Sequence, residues 1–160
     1  MTTSHVIRHS AFRMTLHTTI AIAASPARVW DILTDFKEYA HWNPAIPSAV
    51  GEAVRGSLLQ VVIQWPGLKR DNYSLEVTAV EPERELRWLG HFGTSGLMDG
   101  DHRFIIEPAG ENRANIVQTE DFSGLLVPIF APWLKRNVLD GFNQVNEALK
   151  FRAEHASRST

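Results

Sequence analysis

Pro132-Trp133-Leu134-Lys135-Arg136-Asn137-Val138-Leu139-Asp140-Gly141-Phe142-Asn143-Gln144-Val145-Asn146-Glu147-Ala148-Leu149-Lys150 is the stretch on which the fold turns. Leu134, Val138, Phe142, Val145 and Leu149 recur at steps of four, four, three and four, which stacks them on one face of a 3.6-residue helix. Lys135, Arg136, Asp140, Glu147 and Lys150 mostly face away, so the helix is amphipathic and needs an apolar surface to lie on. Gly141 costs about 1 kcal/mol of helix propensity relative to alanine, which points to close backbone packing or to room left for a ligand. Asn137 and Asn146 border the apolar stripe.

Upstream of this helix nearly every segment has the period of a strand. Residues 15–23 alternate Leu16, Thr18, Ile20 and Ile22 with a second set, giving a strand with one apolar face. Ser25-Pro26 then signals a helix start, because serine caps orphan amides and proline suits the first helical position. Val29, Trp30, Ile32, Leu33 and Phe36 form the buried side of that helix, and a second short helix ends before Asn43-Pro44. Six further strand-like runs follow, over 49–52, 57–64, 69–80, 85–91, 100–107 and 113–122. Their separators carry turn chemistry, as in Trp65-Pro66-Gly67 and Pro108-Ala109-Gly110-Glu111-Asn112.

The expected fold class is therefore α+β: a seven-stranded curved antiparallel sheet wrapped around a long C-terminal helix, with two short helices between its first and second strands. Curling brings the first strand beside the seventh and encloses a volume. Residues 1–13 show neither period and are expected to form a mobile N-terminal extension. Residues 14–156 are expected to form a single domain, with the chain fraying from Ala153 to Thr160.

Composition narrows the function. With 160 residues, 44% of them hydrophobic, the chain can bury a real core. A net charge of -2 without a basic block argues against a nucleic-acid footprint. The absence of cysteine removes disulfides, thiolate metal sites and cysteine nucleophiles, and no apolar run approaches the roughly 20 residues that span a bilayer. A cytoplasmic protein is the expectation. The seven histidines are scattered without ligand spacing, and no nucleophile elbow or phosphate loop is present, so neither a metal nor a cofactor is expected.

In order along the chain, several motifs resemble the SRPBCC superfamily, the START and Bet v 1-like proteins, and within it the polyketide cyclase/dehydrase and lipid transport branch. They are Ala24-Ser25-Pro26-Ala27-Arg28-Val29-Trp30 with Leu33-Thr34-Asp35, Tyr39 to Pro44, Leu86-Arg87-Trp88, Gly100-Asp101-His102-Arg103-Phe104, Glu120-Asp121-Phe122-Ser123-Gly124, and Gly141-Phe142 with Asn146-Glu147-Ala148-Leu149-Lys150. The resemblance implies a helix-grip fold with a hydrophobic cavity, and no particular reaction.

Candidate site residues follow from where the side chains would point. Trp42, Trp65, Trp88 and Trp133 stand at loop or element ends, where a ring lines a cavity while its N–H finds a polar partner, whereas Trp30 reads as core. If Phe104 and Ile106 face inward, strand parity carries His102 inward, and Phe122 does the same for Glu120. The two would meet across the sheet as a general acid and base, or as a satisfied structural pair. With Phe142 these residues make up the candidate ligand site. Gly93 to Met98 reads as a gate over the pocket or as a hairpin turn, and Leu125 to Trp133 as a cavity roof or a docking patch.

The leading expectation is a binding protein for a small hydrophobic or aromatic ligand. The alternatives are a cofactor-independent cyclase, dehydratase or isomerase using the same cavity, and an interaction module of the chaperone-partner type. A homodimer is compatible with the sequence.

Overall fold

The computed structural model describes Met1 to His155. Two strands, β1 (Thr3–Ser10) and β2 (Arg13–Ile22), open the chain. They are followed by α1 (Pro26–Thr34), a single 3-10 turn (Phe36–Glu38) and α2 (Tyr39–Trp42). The remaining strands are β3 (Ser48–Val50), β4 (Leu58–Ile63), β5 (Asp71–Glu81), β6 (Glu85–His91), β7 (Asp99–Pro108) and β8 (Ala114–Ser123). A last helical rod runs through α3 (Val127–Trp133), a π turn (Leu134–Val138) and α4 (Leu139–His155).

All strands join one antiparallel sheet in the order β1-β2-β8-β7-β6-β5-β4-β3. The first strand expected from sequence, now β2, does pair with the last, β8, over its whole length from Arg13↔Ser123 to Ile22↔Ala114. The strand count is corrected from seven to eight, because Thr3–Ser10 forms an edge strand on β2 in place of an element-free extension. Its pattern is invisible in sequence because both of its faces are largely exposed and only Val6 packs against the core. Backbone pairing and the stacked His5 and His17 rings, 4.3 Å apart, hold it instead.

Local chemistry explains the helix boundaries. Ser25 Oγ accepts the Arg28 N–H at 3.2 Å, and Pro26 occupies the first turn of α1. Asn43 adopts φ -89°, ψ 107° ahead of Pro44, the extended conformation a pre-proline residue prefers, and α2 stops there. In the C-terminal rod, Pro132 lacks the N–H that would continue the ladder, and the backbone widens into the π turn directly after it. The apolar stripe survives this irregularity, since Leu134, Val138, Phe142, Val145 and Leu149 are all buried. Fraying is expected from Ala153, but Ala153 to His155 remain helical, and the rest of that expectation, residues 156–160, lies outside the described residues.

Two apolar clusters form the interior. One joins α1, α2 and strands β2 to β8 with the far end of α4, through Ile20, Val29, Leu33, Tyr39, Leu86, Ile116 and Leu149. The Tyr39 hydroxyl donates to the Leu33 carbonyl at 2.6 Å, and burial pushes this phenol's pKa up. The other cluster packs the π turn and α3 onto the opposite end of the sheet, through Met14, Met98, Phe122, Leu134 and Val138. The space that remains between them is the cavity. No helix among the described residues is long and apolar enough to cross a membrane.

Candidate ligand cavity

Strand register places the inward side chains in rows across the sheet. Met14, Phe122, Gly100 and Gly90 are successive partners along β2, β8, β7 and β6, the next row is Leu16, Glu120, His102 and Trp88, and the third is Thr18, Gln118, Phe104 and Leu86. A polar pair thus lies between a leucine and a tryptophan in the middle row. His102 and Glu120 both face inward, with the parity of Phe104 and Phe122, and both line the cavity.

His102 is 6% exposed and stacks on Trp88, with ring centroids 5.1 Å apart and planes 8° from parallel. The Phe104 and Phe142 rings stand T-shaped to it, with centroids 4.8 and 5.0 Å away. Its Nδ1 faces Glu120 Oε2 at 3.4 Å and its Nε2 faces Gln118 Nε2 at 3.3 Å. With the Gln118 amide oriented this way, its N–H donates to Nε2 and the single ring proton is assigned to Nδ1, toward the carboxylate. Gln118 is 2% exposed, and its Oε1 is buried without a hydrogen-bond partner.

A cavity of about 450 Å³ opens beside this cluster, bounded by the sheet and the C-terminal rod. Trp65, Trp88, Phe104, Phe122, Trp133 and Phe142 all line it. Gly141 sits where the β4–β5 loop meets α4: an added methyl would lie 3.3 Å from two ring carbons of Trp65, so the glycine does mark a close approach. The half-exposed lining residues form an aromatic rim, with Trp65 edge-on to Trp133 at 6.3 Å and Phe92 near both Phe130 (6.3 Å) and Tyr73 (6.4 Å). Burial, then the neighbouring Asp71, pushes the Tyr73 phenol up.

Trp42 departs from the expectation. It lies outside this cavity, packed edge-on against Tyr39 at 5.1 Å, and borders a separate hollow with His41, Phe151 and Arg152. Its position at an element end resembles that of Trp65 and Trp133, but α2 turns it toward α4 on the other side of the core. Gln118 and Gly90 carry no expectation from sequence, and Gly100 enters only as the first residue of the Gly100 to Phe104 motif. The parity that aligned Glu120 with Phe122 extends by one step to Gln118, and from His102 to Gly100, so the signal was present.

Gly93 to Met98 adopts the hairpin alternative, with Gly93 at φ 80° and Gly96 at φ 87°. The turn is tied down, since the Leu125 and Leu126 N–H groups donate to the Gly96 and Leu97 carbonyls at 3.1 and 2.9 Å. The segment after it divides its side chains: Phe130 and Trp133 roof the cavity, while Leu125 and Ile129 are 66% and 70% exposed.

Charges segregate to the outer face of the sheet. Arg87 pairs with Asp101, and Arg103 bridges Asp101 and Asp121 at 3.9 and 3.6 Å, all with the parity opposite to His102. The hydrogen bond that Arg87 donates to Asp101 raises the Arg87 pKa further.

A family model described as polyketide cyclase / dehydrase and lipid transport matches residues 13–154, which span β2 to α4. The chain belongs to that family. Solved structures repeat its helix-grip fold at low identity. A START superfamily protein from Mycobacterium smegmatis is similar with a TM-score of 0.73 and 21% identity, over 89% of this chain and 99% of that one. Truncated norcoclaurine synthase from Thalictrum flavum gives 0.70 and 16%, over 98% and 97%. The di-domain ARO/CYC BexL from the BE-7585A biosynthetic pathway gives 0.76 and 13%, over 93% of this chain and 52% of that one. At these identities the likeness establishes the fold. A comparison with curated proteins gives no match.

Proposed function

We propose that this protein binds a small hydrophobic or aromatic molecule in the cavity between the sheet and the C-terminal rod, for transport or sequestration. The observation that carries the reading is the cavity itself. Its volume of about 450 Å³ lies within the ~300–1,000 Å³ of small-molecule sites, and its wall is mainly aromatic and aliphatic with few convergent polar groups. Trp65, Trp88, Phe104, Phe122, Trp133 and Phe142 supply the apolar contact, and His102, Gln118 and Glu120 orient the ligand. Family membership and the likeness to a START superfamily protein support the same reading. Native mass spectrometry of gently purified protein tests it. A reproducible added mass supports it, and repeated absence of any adduct, together with failure to take up a neutral aromatic probe, refutes it.

A second reading is favoured by one observation, the His102 and Glu120 pair beside the cavity. An imidazole with a carboxylate at one nitrogen is suited to moving a proton on and off a bound molecule, so a cyclase, dehydratase or isomerase needing no cofactor fits the same geometry. The likeness to norcoclaurine synthase and to an ARO/CYC protein is compatible with it. Once a ligand is in hand, His102→Ala and Glu120→Gln are each expected to abolish turnover. Wild-type protein that binds the ligand and leaves it unchanged rejects this reading while leaving the first intact.

A further inference from the structure

The polar atoms around His102 are unevenly satisfied. Both ring nitrogens are engaged, Nδ1 by Glu120 and Nε2 by Gln118. What remains free is on the partners: Gln118 Oε1 is buried without a donor, and Glu120 turns Oε2 toward His102, leaving Oε1 toward the cavity without a hydrogen bond among the described residues. Both are acceptors. Gln118 Oε1 is closed off from solvent, so the acceptor a ligand can reach is the Glu120 carboxylate, which favours a ligand that donates a hydrogen bond and disfavours one that brings a second acceptor.

Charge acts in the same direction. Glu120 is the only carboxylate among the described residues that line the cavity, and no lysine or arginine among them lines it. Arg87 and Arg103 point to the outer face, where Asp101 and Asp121 pair with them. The other imidazole at the wall, His91, is occupied by Asp99 at 2.6 Å. An incoming carboxylate would therefore meet the Glu120 carboxylate with no lysine or arginine at the wall to receive it, inside an apolar enclosure that strengthens the repulsion.

Gly100 is what makes this arrangement fit. It stands opposite Phe122 on β8, one row from Glu120, and a methyl group there would overlap Glu120 Oε1. The missing side chain leaves the notch into which the carboxylate leans. Since the atom it would strike is the far end of a flexible side chain, alanine at this position displaces the carboxylate and leaves the strand in place.

We infer that Glu120 and Gly100 together set the head-group specificity of the cavity, which takes a ligand with an apolar body and a hydrogen-donating head, such as a phenol or an amine, and rejects carboxylate ligands, free fatty acids included. This rests on the ligand-binding reading above. The test is displacement of N-phenyl-1-naphthylamine, an uncharged fluorescent probe, by two naphthalenes of matched shape at neutral pH, 2-naphthol and 2-naphthoate. For wild type, 2-naphthol is expected to displace the probe at a concentration at least about tenfold lower than 2-naphthoate. In Glu120→Gln the ratio is expected to collapse to within about threefold, since the amide also donates to a carboxylate. Gly100→Ala is expected to lower the ratio by moving the carboxylate, with circular dichroism confirming the fold of both variants. Equal or tighter binding of 2-naphthoate by wild type overturns the proposal, as does a ratio that Glu120→Gln leaves unchanged. Failure of the probe itself to bind removes the ligand-binding reading and this inference with it, an outcome distinct from binding without discrimination.

Discussion

Gly141→Ala sets two effects of known size against each other. In the interior of α4, alanine is favoured over glycine by about 1 kcal/mol. Against this, the added methyl lies 3.3 Å from Cε3 and Cζ3 of Trp65, tight enough that the ring must move by a few tenths of an ångström, while Pro66 at 4.0 Å is in ordinary contact. In a closed core such crowding costs about 1–3 kcal/mol. Trp65, however, is half-buried in the β4–β5 loop beside Pro66 and Gly67, and the loop takes up the shift, so the cost is expected to fall to about 0.5 kcal/mol, below that range. The net effect is a gain of about 0.5 kcal/mol, or about 1–2 °C in Tm for a domain of this size. Because Trp65 is also cavity wall, the same variant is expected to weaken binding of N-phenyl-1-naphthylamine and to shift tryptophan emission. Thermal unfolding by circular dichroism and probe titration read the two effects separately. A Tm lowered by more than about 3 °C, or about 1 kcal/mol, refutes the reasoning, because Trp65 would then be locked against α4.

Glu154 accepts the Ala23 N–H at 2.7 Å and also pairs with Lys150, and these contacts, the backbone one first, hold its carboxyl below its usual 4.5. A lowered folded-state value makes its contribution fully present above that pH and lost as the pH falls through the folded value, so the Tm advantage of wild type over Glu154→Gln is expected to shrink below pH 4.5. An advantage that grows with acidity contradicts the assignment. Asn146 is fully buried and donates to Thr18 Oγ1 at 2.8 Å. Asn146→Ala is expected to cost about 1–3 kcal/mol by denaturant titration, and Thr18→Val combined with Asn146→Leu to recover most of it, since removing both polar partners leaves no orphan. Ile129→Asp, on the exposed side of α3, is expected to change stability by no more than about 0.5 kcal/mol and to leave probe binding intact. Deleting residues 1–11 is expected to leave a folded domain with a lower Tm, because β1 contributes backbone pairing and one partly buried side chain.

The C-terminal rod and the inward parity of β7 and β8 were legible because each element has one apolar face and a regular period. Leu134 to Leu149 report the helix face directly, and Phe104 and Phe122 report the strand faces that bring His102 and Glu120 together. β1 was not legible, because a strand with both faces in solvent carries no hydrophobic period. Trp42 shows a second limit: its local sequence matches that of a cavity-mouth tryptophan, and only the packing of α2 against α4 decides which side of the core it faces. The π turn leaves no mark on the apolar stripe, and cavity volume depends on helix-to-sheet spacing, which no local pattern encodes. Gly100 shows the reverse case, a residue whose meaning appears only when the Glu120 carboxylate is seen to lie over it.

Calorimetric titration of the wild-type protein and of Val138→Phe with N-phenyl-1-naphthylamine tests the cavity most directly. Val138 is a cavity-lining residue of the π turn, and the larger ring reaches into the space the ligand would occupy. Saturable one-to-one binding by wild type, lost or strongly weakened in a Val138→Phe variant with an unchanged circular dichroism spectrum, is the expected result. Absence of saturable binding by wild type, or equal binding by both proteins, contradicts a ligand site between the sheet and the C-terminal rod.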